Sequence, residues 1–311
     1  MSVKSNDNGR AFEYVFINVL KSEIEKKRPV CISEDEHYIA SQNAWNNISG
    51  NIQQKLITAS NAVIIKLFEL EPNMIKGAGT IELNIQPDTQ GRLGDVRDIV
   101  VKNSSTQWEI GFSMKHNHFA VKHSRLSHKL DFGKEWYNIP CGQTYWNSVR
   151  PIFEKLKELK NDRKEWNALP DKIGSVYKPL LNAFMTEVKH AVSRDPNVPR
   201  KMVEYLLGIY DFWKMISLDA EKETELVAFN MHDKLGKNST VVIPITELPT
   251  SIIGVGYDPD HSDNTVIMSF NKGWSFSFRI HNASTICEPS LKFDIQIIGM
   301  PTSLLTIVCN W

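Results

Sequence analysis

Cysteine is scarce and unpatterned in this 311-residue chain: Cys31, Cys141, Cys287 and Cys309 stand far apart, with no C-x-x-C spacing. That excludes a disulfide framework and a zinc ribbon, and it reads as reduced thiols in a cytoplasmic protein. Excess charge is missing too, since Lys plus Arg equals Asp plus Glu at 36 each. A nucleic-acid partner would therefore have to be met by a local patch and not by bulk charge. No apolar run approaches the roughly 20 residues a membrane span needs, and no signal-peptide pattern is read ahead of Asn8. Repeats and low-complexity tracts are absent. The length suits one large domain or two modest ones.

What is present concentrates in residues 91–123, GRLGDVRDIVVKNSSTQWEIGFSMKHNHFAVKH. An acid, Asp98, enters the apolar run Ile99-Val100-Val101. A polar turn from Lys102 to Thr106 follows, then a second run from Trp108 to Lys115. Side chains in a strand alternate between faces. Ile110, Phe112 and Met114 therefore share one face, which should enter the core, and Glu109, Gly111, Ser113 and Lys115 share the other. In the preceding strand Val96, Asp98 and Val100 lie opposite Arg97, Ile99 and Val101, so Asp98 is an acid at the mouth of a core and needs a partner. Taken singly, such an acid is ordinarily a turn or capping residue, and a terminal lysine ordinarily reaches into water.

Around this pair the pattern is mixed. The spacing of Ala11, Phe12, Val15, Phe16, Val19 and Leu20 predicts a helix over 8–28, capped by Asn8, with Glu13 in its first turn beside the apolar stripe. Leu56, Ala59, Val63, Ile64 and Leu67 predict a second helix over 50–70, and a strand follows at 79–86. From Cys141 to about Leu218 the spacing is helical, including a helix from Met202 to Trp213. From Leu226 onward short β-rich runs alternate with turn clusters such as Tyr257-Asp258-Pro259-Asp260 and Asn271-Lys272-Gly273. The fold class is α/β (α+β), a mixed sheet flanked by helices, with a helical insertion and a β-rich C-terminal region.

Two stretches offer surfaces for a polyanion. Residues 115–134 hold Lys115, Lys122, Arg125, Lys129 and Lys134 against Asp131 alone, a net +4, interleaved with His116, His118, His123 and His128. With Asn117, these are side chains of the kind that contact phosphates. A metal site built on His116 and His118 lacks further ligands at suitable spacing. In 274–281 Trp274, Phe276, Phe278 and Ile280 face one way, leaving Ser275, Ser277, Arg279 and His281 on the other. In 291–297 Leu291, Phe293, Ile295 and Ile297 oppose Lys292, Asp294 and Gln296. Polar faces of this composition suit base edges in the major groove; they equally suit any half-exposed antiparallel sheet.

An acid opening an apolar strand, then a strand ending in x-x-K, resembles the PD-(D/E)xK nuclease superfamily. GDVRDIVV followed by EIGFSMKHNHFAVKHSRLS is similar to type II restriction endonucleases of the HaeIII type, as are NGRAFEY near the N-terminus and WSFSFRIHNAS and SLKFDIQIIG near the C-terminus. The resemblance implies a nuclease core over 1–140, a helical region over 141–222, and a β-rich region over 223–311 with a part in DNA recognition. It implies Mg²⁺-dependent hydrolysis of double-stranded DNA within a short palindrome, GGCC, by a homodimer paired with a cognate DNA methyltransferase. Asp98 would bind the metal and Lys115 would act on the phosphate.

One departure stands out, because the family pattern has Asp or Glu where this chain has Ser113. Glu109 shares its face but lies six residues from Lys115, roughly 20 Å along a strand. Asp95 sits in the glycine turn before Asp98. Glu13 is the preferred third carboxylate, since many nucleases of the superfamily supply an acid from the first helix; Asp95 and Glu109 stay open. The literal Pro87-Asp88 is a turn. Other functions also stay open: a structure-specific repair or recombination nuclease on the same core, or a DNA-binding protein whose nuclease core is inactive.

Overall fold

The apolar stripe that begins at Ala11 is the buried face of a long helix, and the chain builds outward from it. A computed structural model describes residues 2–118 and 120–311, with the side chains of 2–6, 88, 92–93 and 120–123 excepted. In chain order, α1 (Ser2–Glu25) is followed by β1 (Val30–Ile32), α2 (Glu36–Asn47), α3 (Gly50–Leu70) and β2 (Ile81–Ile85). The hairpin of β3 (Ile99–Asn103) and β4 (Trp108–His116) comes next, then β5 (Ala120–Ser127). A helical stretch contains α4 (Phe132–Tyr137), α5 (Gln143–Asn161), α6 (Lys178–Arg194) and α7 (Val198–Leu207). The remainder is β6 (Phe212–Leu218), β7 (Glu223–Phe229), β8 (Ile252–Tyr257), β9 (Thr265–Phe270), β10 (Ser275–His281), β11 (Ser290–Gly299) and β12 (Thr306–Asn310).

Two compact units result, and they interleave along the sequence. The first comprises Met1–Phe119, Gly208–Glu247 and Thr302–Trp311; the second comprises Ala120–Leu207 and Leu248–Pro301. The composition shift near residue 222 falls in the turn joining β6 to β7, which pair with each other.

In the first unit the described strands form a seven-stranded sheet, ordered β1-β2-β3-β4-β6-β7-β12. The β1–β2 and β4–β6 pairs are parallel and the others antiparallel, so the sheet is mixed. Its apolar face packs under α1 and α3. Phe12, Phe16 and Leu20 of α1 and Leu56, Val63 and Leu67 of α3 join Phe112, Met114, Trp213 and Met215 in one buried cluster. Phe16 meets Phe112 edge-on at 5.2 Å between ring centroids. Each such fully buried side chain contributes about 1.5–3 kcal/mol, and the stripe of α1 is what fixes the helix to the sheet.

In the second unit the described strands form a five-stranded antiparallel sheet, β5-β11-β10-β9-β8. Phe278 and Phe293 on its inner face stack and tilt against Trp136 of α4 and Phe184 of α6. The expected class, a large mixed sheet flanked by helices with a β-rich C-terminal region, is the one observed.

Three local expectations are corrected. α1 starts at Ser2, so Asn8 lies inside the helix and does not cap it; apolar spacing marks where a helix buries itself, not where it begins. The helix expected from Met202 to Trp213 ends at Leu207, because Gly208 turns left-handed at φ 101° and Phe212 opens β6. α2 has no apolar stripe to mark it: its buried positions are Tyr38, Ser41 and Ala44, although Asp35 caps it by accepting from the backbone N–H groups of His37 and Tyr38.

One buried acid ties these elements together. Glu71, just after α3, accepts from Trp213 Nε1 at 2.9 Å and from Gly236 N at 2.8 Å, while its Oε2 has no hydrogen-bond partner. Burial pushes its carboxyl up from an ordinary 4.5 to about 7, partly opposed by the two donors. Between those values the unfolded chain releases a proton that the folded chain keeps. The contribution of Glu71 to stability is therefore present below pH 4.5 and lost as pH rises through 7, by about 3 kcal/mol. Glu71→Gln keeps an acceptor oxygen without the charge. Its melting temperature is expected to match wild type at pH 5 and exceed it at pH 8, as thermal denaturation at the two pH values will show.

Candidate active site

Asp98 lies one residue before β3, yet its N–H donates to Phe112 O at 2.7 Å and so extends the β3–β4 register by one position. This sets Asp98 beside Ser113. Three donors converge on Asp98 Oδ2: Lys115 Nζ at 3.0 Å, Met114 N at 2.5 Å and Ser113 Oγ at 3.3 Å. Among the described residues Oδ1 accepts no hydrogen bond, and the side chain is 26% exposed. The carboxylate is thus held from one side and open on the other. Met114, whose side chain enters the core, supplies only its backbone, which is why the alternation of β4 can place Ser113 and Lys115 outward together.

The pairing of β4 with β6 brings in a residue that local sequence did not announce. Ser113 is in parallel register with Lys214, and Lys115 with Ile216. Residues in register project from the same face of a sheet, so Asp98, Ser113 and Lys214 form one row across three strands, with Lys115 two positions along. Lys214 is only 3% exposed. Burial pushes its ammonium down to about 7; Lys115 pushes the same way and Asp98 opposes. A charged residue alone in the apolar run Phe212-Trp213-Lys214-Met215-Ile216 is the available signal, which the helical spacing expected up to about Leu218 masks.

The other carboxylates considered are engaged elsewhere in this structure. Glu13 on α1 accepts from Ser41 Oγ of α2 at 3.3 Å. Asp95 is bound by Arg97 through two guanidinium hydrogen bonds, at 2.8 and 2.7 Å, and its backbone N–H at 3.1 Å, and by Gln86 at 2.7 Å. Burial alone would raise its carboxyl, but Arg97 and Gln86 outweigh that and hold it below the usual range. Glu109 is bound by Arg97 at 2.6 Å and Lys102 at 3.1 Å. Arg97 reaches it by crossing Gly111, where an added Cβ would fall 2.1 Å from Arg97 Cδ. That close approach is what the glycine in β4 permits. Among the described residues no group of three or more His, Cys, Asp and Glu converges on a point.

Beyond Lys115 the chain is braced. His116 Nε2 meets Asp219 Oδ1 at 3.0 Å, Lys55 Nζ meets Asp219 Oδ2 at 3.1 Å, and Asn117 Oδ1 accepts from Asp219 N at 2.8 Å. His116 and Asn117 therefore fasten the end of β4 to the turn after β6. His118 is exposed. The side chains of Lys122 and His123 lie outside those described.

In the second unit β5 pairs with β11, and β11 with β10. The β5 part of the basic stretch 115–134 and the two C-terminal strands with polar faces are thus neighbours in one sheet. Its outward face carries Arg125, Lys292, Arg279 and His281 around a single acid. Asp294 Oδ2 accepts from Arg279 Nη2 at 3.0 Å, with Lys292 Nζ 3.2 Å from Asp294 Oδ1 and His281 Nδ1 3.4 Å from Oδ2 at ion-pair distance. Arg125 is exposed, with Nη1 on Ser290 O at 3.2 Å. Arg279, 56% exposed, is steered by Asp294 without being covered.

A mixed sheet under helices, carrying an Asp–Lys pair on adjacent strand ends, is consistent with a nuclease core. A family model described as HaeIII restriction endonuclease matches residues 9–301. The type II restriction enzyme HaeIII of Haemophilus aegyptius is 45% identical over 317 residues, spanning 100% of this chain and 99% of that protein. No solved structure matches. The chain belongs to the HaeIII restriction endonuclease family, and so to the type II site-specific deoxyribonucleases that act on double-stranded DNA. Among the described residues no helix is long and apolar enough to cross a membrane.

Proposed function

We propose that this protein cleaves both strands of DNA within GGCC in the presence of Mg²⁺, using Asp98 and Lys115. The observation that supports it most is the one-sided hold on Asp98: Lys115, Met114 N and Ser113 occupy Oδ2 and leave Oδ1 clear of hydrogen bonds. Type II restriction endonucleases generally use a divalent ion, and an ion of the Mg²⁺ kind binds through one or two carboxylates together with substrate phosphate and water. Asp98 fits the first requirement, and in this reading a main-chain carbonyl near Met114 and the Glu13 carboxylate, released from Ser41 Oγ, would add further ligands. A bound ion would supply Lewis-acid polarisation of the phosphate. Lys115 would orient the attacking water and offset charge developing on the phosphate. Ser113 and Met114 N keep the Asp98 carboxylate turned outward.

Recognition falls to the second unit in this reading. Arg279, His281 and Lys292 meet base edges, and Arg125, Lys122, His123 and His118 meet phosphates, with His116 and Asn117 bracing the strand end. A palindromic site is matched most simply by a twofold, so a homodimer forms on DNA, and a cognate methyltransferase protects the host's own sites. Family membership favours this reading over a repair nuclease or an inactive core. The test is to incubate a sequenced plasmid with protein and Mg²⁺ and map the fragment ends. Discrete ends within GGCC are expected; ends scattered or confined to branched DNA, or intact plasmid, would refute it.

Two residue-level outcomes follow. Arg279→Ala is expected to lose roughly 1–3 kcal/mol of discrimination at one base pair while non-specific binding barely changes, measured by competition between the cognate site and single-base variants. Glu13→Gln is expected to weaken cation binding and turnover together with melting temperature nearly unchanged. Normal cleavage by this variant would place the second carboxylate elsewhere.

A further inference from the structure

Lys214 has no part in the roles assigned above. It is a cation 3% exposed in a strand otherwise apolar from Phe212 to Ile216, and a buried ammonium is costly unless neighbouring charge compensates it. Its place is set by the backbone. β6 is fixed by Trp213 Nε1 on Glu71 Oε1 at 2.9 Å, and the register with Ser113 puts Lys214 on the face that carries Asp98 and Lys115. The row Asp98, Ser113, Lys214 thus has an acid at one end, a cation at the other, and a neutral hydroxyl at the position where the family pattern has a second acid. We propose that Lys214 is a positioning residue of the cleavage site, whose buried ammonium sets the field across Asp98 and Lys115. This rests on the reading of Asp98 and Lys115 as that site.

The consequence has opposite signs for the two ligands. While protonated, at pH near or below 7, Lys214 repels a divalent cation twice as strongly as it attracts a singly charged phosphodiester at the same distance. The pentacoordinate transition state carries one more negative charge than the diester, so the same ammonium favours it over the ground state. Lys214 therefore weakens the hold on the cation and speeds cleavage. Removing its charge should tighten cation binding and slow the reaction, a split that a packing role does not produce.

The experiment compares Lys214→Met and Lys214→Gln, both neutral but different in polarity, with wild type. The melting temperature of each variant is measured first, so that kinetics and binding are compared only between folded proteins. At pH 7 or below, where the ammonium carries charge, both variants are expected to cleave about 30-fold more slowly under single-turnover conditions at saturating Mg²⁺. Calorimetric titration of Ca²⁺ into each variant's complex with uncut DNA should show affinity raised about threefold or more, with no turnover involved. A folded variant that cleaves at the wild-type rate, or binds Ca²⁺ no more tightly, overturns the proposal. So do variants that diverge from each other, since a charge effect must act alike in both. Asp98→Asn is measured in parallel. If it is inactive while Lys214→Met is normal, only the role of Lys214 falls; if Asp98→Asn cleaves normally, the site itself and this inference fall together.

Discussion

Lys115→Ala is expected to lose cleavage by about 10³-fold or more while binding its site in Ca²⁺ within about tenfold of wild type. Lys115 pairs with Asp98 at 3.0 Å and is about one-fifth exposed, so its ammonium is oriented before substrate arrives and remains within reach of it. Its loss takes away a cation that acts on charge appearing only as the phosphate is attacked, which is why rate falls and ground-state binding does not. The fold should be indifferent, because Asp98 keeps Met114 N and Ser113 Oγ and a partly exposed pair is worth at most about 1 kcal/mol. Single-turnover kinetics on a short duplex beside a Ca²⁺ binding isotherm separate the two quantities. A variant that cuts near the wild-type rate removes Lys115 from the site.

Asp98→Asn should be equally severe in rate, about 10³-fold or more, but different in kind. The amide keeps an oxygen for Met114 N, so the strand ends should hold their register. The charge that a cation needs is gone, and Lys115 and Lys214 are left facing each other without their shared acid. Cation binding to the protein–DNA complex should therefore fall with cleavage, whereas in Lys115→Ala it should not. Calorimetric titration of Ca²⁺ into both complexes checks the contrast, and unchanged affinity in Asp98→Asn would detach this residue from the cation.

How much of this was legible in the sequence depends on range. The β3–β4 hairpin is local: the alternation of Trp108 to Lys115 and the polar turn before it are enough to orient Phe112 inward and Ser113 outward. The partner of β4 on its other side is β6, almost a hundred residues later, and a parallel crossover leaves no short-range mark. The placement of Lys214 beside Ser113 is hidden for that reason, and so is the bracing of His116 by Asp219. The same limit separated Arg125 from Lys292, which are direct partners across β5 and β11. Alternation correctly gave the inner faces of β10 and β11, since Phe276, Phe278, Phe293 and Ile295 are fully buried. It could not show that Asp294 gathers Arg279, His281 and Lys292 into one cluster, because that depends on the register between strands.

The claim on which the rest turns is that the scissile phosphate is bound at Asp98 and Lys115. A crystal structure of the protein with uncleaved GGCC-containing DNA and Ca²⁺, which supports binding without turnover, tests it directly. The expected result is a cation on the Asp98 carboxylate with the phosphate between it and the Lys115 ammonium. A phosphate and cation seated away from Asp98, with Lys115 still paired to it as in the free protein, would contradict the assignment.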